Sequence, residues 1–238
     1  MTTGLSKLGH RIFSTWARSG ATVRVTDDPA DLKAIRQLRY KVYIEEQKKP
    51  LPWADHAACE LPDPLDASGI HFIGTSNRGD VLAAARLHMD PLAIATTLGR
   101  MGLDAAAAEL RLPFGYFSKL VVQRSLRGAG MAATAISAVY NHGRRNGGLY
   151  CLCHCNPKLV SYYESIGMYQ IGSAFHDPFV GPQVPMMVVV EDSATFEQRC
   201  SFLAADAAQY PNDQARASSI VRHFQSLVAA PVVHHAAA

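Results

Sequence analysis

The sequence predicts a mixed α/β fold, with strands and helices alternating through one domain. Two observations predict it. A strand pair around a tight turn comes early, and strand–helix units come late. The 238 residues are 48% hydrophobic and 18% charged, which is the composition of a folded chain large enough to bury its own core. We expect a single domain over residues 1–238, with a core at about 22–191.

Each element has its own signal. Leu5, Leu8, Ile12, Phe13 and Trp16 give residues 1–19 one apolar helical face. Thr22 to Thr26 reads as a short strand, and Asp27-Asp28-Pro29 caps a helix running to about Gln47. Leu32, Ile35, Leu38, Val42 and Tyr43 form its apolar face. Pro50, Pro52, Pro62 and Pro64 make Lys48 to Gly69 a loop, and loops this long are often functional. Ile70 to Ser76 and Val81 to Met89 pair around Asn77-Arg78-Gly79-Asp80. Asp90 to Leu110 is alanine-rich and helical, broken into two pieces by Gly99 and Gly102. Phe114 to Val122 is a strand, and Gly128 to Asn146 a long helix stopped by Gly147-Gly148. A strand at Leu149 to Cys155 and a helix at Pro157 to Ile166 follow. Strands at Met168 to Gly172 and Val184 to Glu191 come next, separated by a Gly/Pro-containing connection. Two helices fill residues 194–230, divided near Pro211-Asn212-Asp213.

Several function classes are excluded early. The net charge of +3 comes from scattered basic residues, without the dense stripe that nucleic acid requires. No run approaches the roughly 18 apolar residues of a membrane span. Five cysteines in a chain this size fit free thiols and a cytoplasmic location. Cys151, Cys153 and Cys155 with His154 invite a metal reading. On one strand, however, the outer thiols lie roughly 13 Å apart, too far to share an ion. Small buried cysteines are expected there, with a nucleophilic cysteine as the alternative.

The chemistry concentrates between Leu120 and Ala132. A strand ends, a turn carries Gly128 and Gly130, and a long helix begins. Unpartnered amides and the helix dipole make such a terminus a phosphate site, with Arg124 and Arg127 adding charge. The string is common by chance; its place between strand and helix gives it meaning.

Arg127-Gly128-Ala129-Gly130-Met131-Ala132 resembles the pyrophosphate loop of GNAT acyltransferases. Asn156-Pro157-Lys158 through Tyr163-Glu164-Ser165-Ile166-Gly167-Met168 resembles their second signature, with Met168 in place of a Phe. The resemblance implies the GNAT fold: a mixed, mostly antiparallel central sheet flanked by helices, here with extra N- and C-terminal helices. It also implies an acyl-phosphopantetheine thioester as co-substrate and no tightly bound cofactor. Leu120 and Val122 would pair with the pantetheine arm, Arg127 to Ala132 and Asn156 would hold the carrier, and Tyr163 would protonate the departing thiolate.

Leu38-Arg39-Tyr40-Lys41-Val42-Tyr43, then Asp63-Pro64-Leu65-Asp66, His71-Phe72-Ile73 and Ala85-Arg86-Leu87 resemble a narrower group. That group is the N-acyl amino acid synthases and the related acyl-homoserine-lactone synthases. Physically, Glu45, Asp63 and Asp66 can hold a substrate ammonium, pair with Arg39 and Arg86 to shape a pocket, or form a solvated acidic loop. We expect Glu45 as a catalytic residue and Arg39, Asp63, Asp66 and Arg86 as substrate contacts. Lactone synthases carry Glu-x-Ser/Thr-Arg on the central strand. Tyr116-Phe117-Ser118-Lys119 lacks that acid, which weighs against S-adenosylmethionine as substrate. The expectation is transfer from acyl carrier protein or coenzyme A to the amine of an amino acid or similar small molecule. An acetyl-CoA-dependent acetyltransferase and a non-catalytic thioester-binding module are the alternatives.

Overall fold

The computed structural model describes residues 21–229, with side chains as far as 226. The helix expected over residues 1–19 lies outside the described residues. Strand β1 (Thr22–Thr26) leads into helix α1 (Pro29–Tyr40). Asp28 fixes the start of α1 by accepting from the amides of Ala30 and Asp31, with Pro29 in the first turn. The expected run of α-helix to Gln47 stops at Tyr40, and Lys41–Glu46 winds instead as a π-helical turn. Leu38, Arg39 and Tyr40 at the end of α1 are buried, and Val42 is the buried residue of the π turn.

The hairpin appears as β2 (Ile70–Thr75) and β3 (Val81–His88). Two short helices follow, α2 (Ala95–Met101) and α3 (Asp104–Leu110), separated at Gly102. Next come β4 (Phe114–Val122), α4 (Met131–Arg145), β5 (Tyr150–Cys155) and α5 (Val160–Ser165). The strand expected at Met168 to Gly172 shrinks to β6 (Tyr169–Gln170). An unexpected β7 (Phe175–Asp177) pairs with the early part of β8 (Gly181–Val189), where the sequence suggests only a connection. The two C-terminal helices expected are three: α6 (Ser193–Gln198), α7 (Leu203–Ala207) and α8 (Gln214–Ala229).

The strands form one sheet in the order β1-β2-β3-β4-β5-β8-β6. Every pair is antiparallel except β4 and β5. Helix α4 covers one face, where Ile136, Val139 and Tyr140 join Leu87, Phe117 and Cys153 in the main core. On the other face α1 lays Ile35 and Leu38, and the π turn Val42, on Ile73, Ala84 and Val121. Further along that face, residues of α2, α3 and α8 pack on Phe114, Tyr150 and Leu152. This is a GNAT fold.

Two irregularities in the sheet create the site. The parallel β4–β5 pair holds for three partners, Phe114 with Tyr150, Gly115 with Cys151 and Tyr116 with Leu152, and then parts. From Phe117 onward the edge of β4 that faces β5 has no strand partner. In addition, Ser118 sits opposite Arg86 and Val121 opposite Ala84, so Lys119 and Leu120 together face Ala85. This bulge puts Lys119 at φ 55°, in the left-handed region. For a residue with a Cβ that costs about 1–2 kcal/mol.

Candidate active site

Where β4 ends, the chain makes a short turn and enters α4 through Gly128 at φ 78° and Gly130 at φ 91°. No side chain caps this helix. Its first backbone bond runs from the Thr134 amide to the Gly130 carbonyl. Among the described residues the amides of Gly128, Gly130, Met131 and Ala132 therefore have no protein acceptor. Arg127 and Gly128 are exposed, while Ala129, Gly130 and Ala132 are half-buried at the surface. Open amides at the positive end of a fifteen-residue helix are an anion site. Arg127, expected to meet a phosphate, is engaged elsewhere. Its Nε donates to the Val122 carbonyl (3.1 Å) and its NH2 to Glu46 Oε2 (2.6 Å).

The opened strands lead to Tyr163, which is buried among the core residues that include Cys153, Cys155 and Phe117. Burial, foremost, and the neighbouring Cys153 and Cys155 push its phenol well above the ordinary value, so it holds its proton at neutral pH. Asn156 spends its side-chain oxygen on the Lys158 amide (3.0 Å), starting the turn that carries α5. Next to Tyr163 an apolar slot runs between the sheet and α4, lined by Leu87, Phe117, Ile136, Gly143, Cys151 and Met168 among others. It holds about 530 Å³ of empty space counted to its open mouth. Burial raises the Cys151 thiol to about 12 and the Cys155 thiol to about 11, which counts against a cysteine nucleophile. Among the described residues no cluster of His, Cys, Asp or Glu is arranged to hold a metal.

On the other face lies a buried ion network. Arg39 NH1 meets Asp66 Oδ1 at 2.7 Å, and Arg86 NH1 meets both Asp66 Oδ1 (2.7 Å) and Asp63 Oδ1 (2.8 Å). Lys119, carried inward by the bulge, meets Asp63 Oδ2 at 2.7 Å. Arg39 and Arg86 are 0% and 1% exposed. Burial alone would raise Asp63, but Lys119 and Arg86 outweigh it and hold the carboxyl far below its usual range. Asp66 is lowered in the same way by Arg39 and Arg86. Three cations thus face two carboxylates, and Arg39 keeps Nε and NH2 without partners. A pocket of about 180 Å³ opens beside it, lined by Arg36, Asp66 and His71 among others. Lys119 and Lys49 lie over the ring of Tyr43, at 5.7 and 5.4 Å from its centroid. Lys49 has no carboxylate partner among the described residues.

The fold thus joins Arg39, Asp63, Asp66 and Arg86 in one network and leaves out Glu45. Expected as a catalytic residue, Glu45 is exposed and makes no ion pair among the described residues. Its neighbour Glu46 reaches the loop through Arg127, a choice between adjacent acids that the π turn makes and helical spacing does not reveal. Lys49 went unnoticed because nothing in a proline-bounded loop marks one lysine among several. Lys119 was visible only as a departure from a pattern.

No curated protein matches this sequence, but solved structures of similar fold do. FeeM, an N-acyl amino acid synthase from uncultured soil microbes, superposes with a TM-score of 0.61 at 17% identity, covering 78% of this chain and 97% of its own. BjaI, a CoA-dependent acyl-homoserine lactone synthase, gives 0.60 at 14% identity, covering 84% of this chain and 100% of its own. An N-acetyltransferase from Lactobacillus plantarum gives 0.54 at 16%, covering 72% and 99%. At these identities the likeness shows the fold. The model of the N-acyl amino acid synthase FeeM family matches residues 34–189, from within α1 to the end of β8. Since that match spans well over half the chain, the protein is an N-acyltransferase belonging to the FeeM family of N-acyl amino acid synthases.

Proposed function

We propose that this enzyme moves a long acyl chain from a phosphopantetheine thioester, on acyl carrier protein or coenzyme A, to the amine of an amino acid. The observation that carries this reading is the parted β4–β5 pair, which runs from the open amides of Gly128, Gly130, Met131 and Ala132 toward Tyr163 and the apolar slot. The phosphate end of the donor meets the amides. The pantetheine arm adds to the free edge of β4 at Leu120 and Val122, and the acyl tail enters the slot. Tyr163 gives its proton to sulfur as the C–S bond breaks. The apolar lining of the slot supports an acyl group longer than acetyl.

The acceptor approaches the opposite face. The excess of positive charge at Arg39, Arg86 and Lys119, with Lys49 beside it, suits an amine that also carries a carboxylate. Arg124 and Lys158 are the exposed cations near the donor path that suit an acidic carrier protein. Arg144, by contrast, is committed to Glu191 at 3.1 Å. Free thiols at all five cysteines suit a reducing, cytoplasmic setting.

The test is a competition assay. Acyl carrier protein and coenzyme A thioesters, from acetyl to long saturated chains, are offered with amino acids and their decarboxylated amines. Long chains and carboxylate-bearing acceptors should be consumed first. Preference for acetyl-CoA, or indifference to the carboxylate, would overturn the reading.

A further inference from the structure

Attack on a thioester needs a neutral amine, and an amino acid arrives as an ammonium. Three histidines stand on the acceptor's face of the sheet: His71, His88 and His154. His71 Nε2 donates to the Asp66 carbonyl and His88 Nε2 to the Leu65 carbonyl, each at 2.9 Å. The remaining nitrogen of each, Nδ1, is sealed inside without a partner. Neither ring offers a lone pair that substrate can reach.

His154 is arranged the opposite way. It lies on β5 two residues past Leu152, the last residue of β5 paired with β4, so it borders the gap between the strands. Cys153 and Cys155, on either side of it, point to the α4 face and Tyr163. His154 turns to the other face, where its ring lies 6.2 Å from that of Tyr116 and 5.6 Å from that of Phe175. Its Nδ1 sits 2.9 Å from Gln183 Oε1. The Gln183 amide is itself oriented, because Nε2 donates to the Pro182 carbonyl at 2.7 Å. An amide oxygen only accepts, so the proton of the neutral ring is on Nδ1 and the lone pair is on Nε2. Nε2 has no hydrogen-bond partner among the described residues, and it is not among the sealed atoms.

We infer that His154 is the general base of the transfer, its Nε2 taking the proton from the acceptor nitrogen while Gln183 holds the ring in the required tautomer. The inference rests on the acyl-transfer reading and gives that site its missing base. The acceptor ammonium gives one proton to Nε2, which passes it to solvent; the neutral nitrogen then bonds to the thioester carbon and gives Nε2 its second proton, which also goes to solvent. The C–S bond breaks, its electron pair stays on sulfur, and sulfur takes the Tyr163 proton, which solvent replaces. An ammonium and a thioester become an amide, a thiol and one released proton. Acid and base stand on opposite faces of the parted strands, so neither quenches the other.

The groups around His154 favour the neutral ring. Burial foremost, then Lys119 on β4 and Lys49 in the preceding loop, lower its pKa against Gln183 and Asp177 from β8 and β7. Tyr116 faces it as a protonated phenol. The rate should therefore rise with pH along a limb below about pH 6.5.

Two measurements decide the matter. A nitrogen–carbon correlation spectrum of the parent at pH 7 should show His154 neutral with its proton on Nδ1, whether or not a substrate pair is known. A proton on Nε2, or an imidazolium, overturns the inference. In the kinetic measurement, His154→Gln should lower kcat by about 10²-fold and erase the acid limb. Gln183→Glu should move the limb to higher pH by favouring the charged ring. An active parent whose limb survives His154→Gln overturns this inference alone. A parent inert toward every thioester and amine overturns acyl transfer, and this base with it.

Discussion

Replacing Tyr163 by Phe removes one oxygen from a buried position where that oxygen makes no hydrogen bond among the described residues, so the fold should hardly notice. Catalysis should notice. A positioned general acid contributes roughly 10²-fold or more, so kcat should fall by that factor while the melting temperature stays put. Equal losses in both would make Tyr163 a packing residue only. Arg86 predicts the reverse pattern. Its guanidinium joins two carboxylates at 1% exposure, and Arg86→Met removes that bridge, leaving Asp66 to Arg39 and Asp63 to Lys119. Breaking a buried network from one side costs about 3–5 kcal/mol, to be read in chemical denaturation. Because Arg39 shares Asp66 with Arg86, a double variant should cost less than the sum of the single ones.

The turn into α4 and the helix itself make separable predictions. At φ 91°, Gly130 occupies backbone that any other residue enters at a cost of about 1–2 kcal/mol. If the amides of this turn hold the donor's phosphate end, as proposed, Gly130→Ala should raise the KM for the thioester more than it lowers kcat. Twelve residues into the same helix, Gly143 lines the apolar slot, and a Cβ built there meets only Leu87 Cδ2, at 3.9 Å. Gly143→Leu should therefore be accommodated, favour the helix by up to about 1 kcal/mol, and block the slot. Shorter acyl chains should become the preferred donors in a mixed-thioester assay. An unchanged chain-length profile would remove the slot from the donor path.

The whole molecule responds to acid in two stages. His71 and His88 are buried neutral, and burial, their largest influence, lowers both. The unfolded chain takes up protons there below about pH 6.5, before the folded one does, so stability begins to fall at that point. Asp63 and Asp66 are lowered as well, so their contribution is complete above about pH 4 and is lost as the pH drops further. Thermal melts across pH should show a shallow decline followed by a steep one, and His88→Gln should flatten only the first. Among the described residues no helix is long and apolar enough to cross a membrane.

Local chemistry determined much of this protein. Asp28 and Pro29 start a helix, Gly147 and Gly148 stop one, and Gly128 and Gly130 open the turn into α4, all from preferences that act over a few residues. The order of these segments indicated a mixed α/β sheet, and the resemblance of two motifs indicated that it is a GNAT sheet. The tertiary structure decided what distant segments do to one another. It joined Arg39, Asp63, Asp66, Arg86 and Lys119, which span 80 positions of sequence, into one buried network. It exposed Glu45 and turned Glu46 toward Arg127 through a π turn that no periodicity announces. It also gave His154 a partner in Gln183, 29 residues away, and with that partner a tautomer. Helix caps and turns are settled by neighbours in the chain, whereas charge pairing and protonation depend on burial and long-range contacts that exist only once the chain has folded.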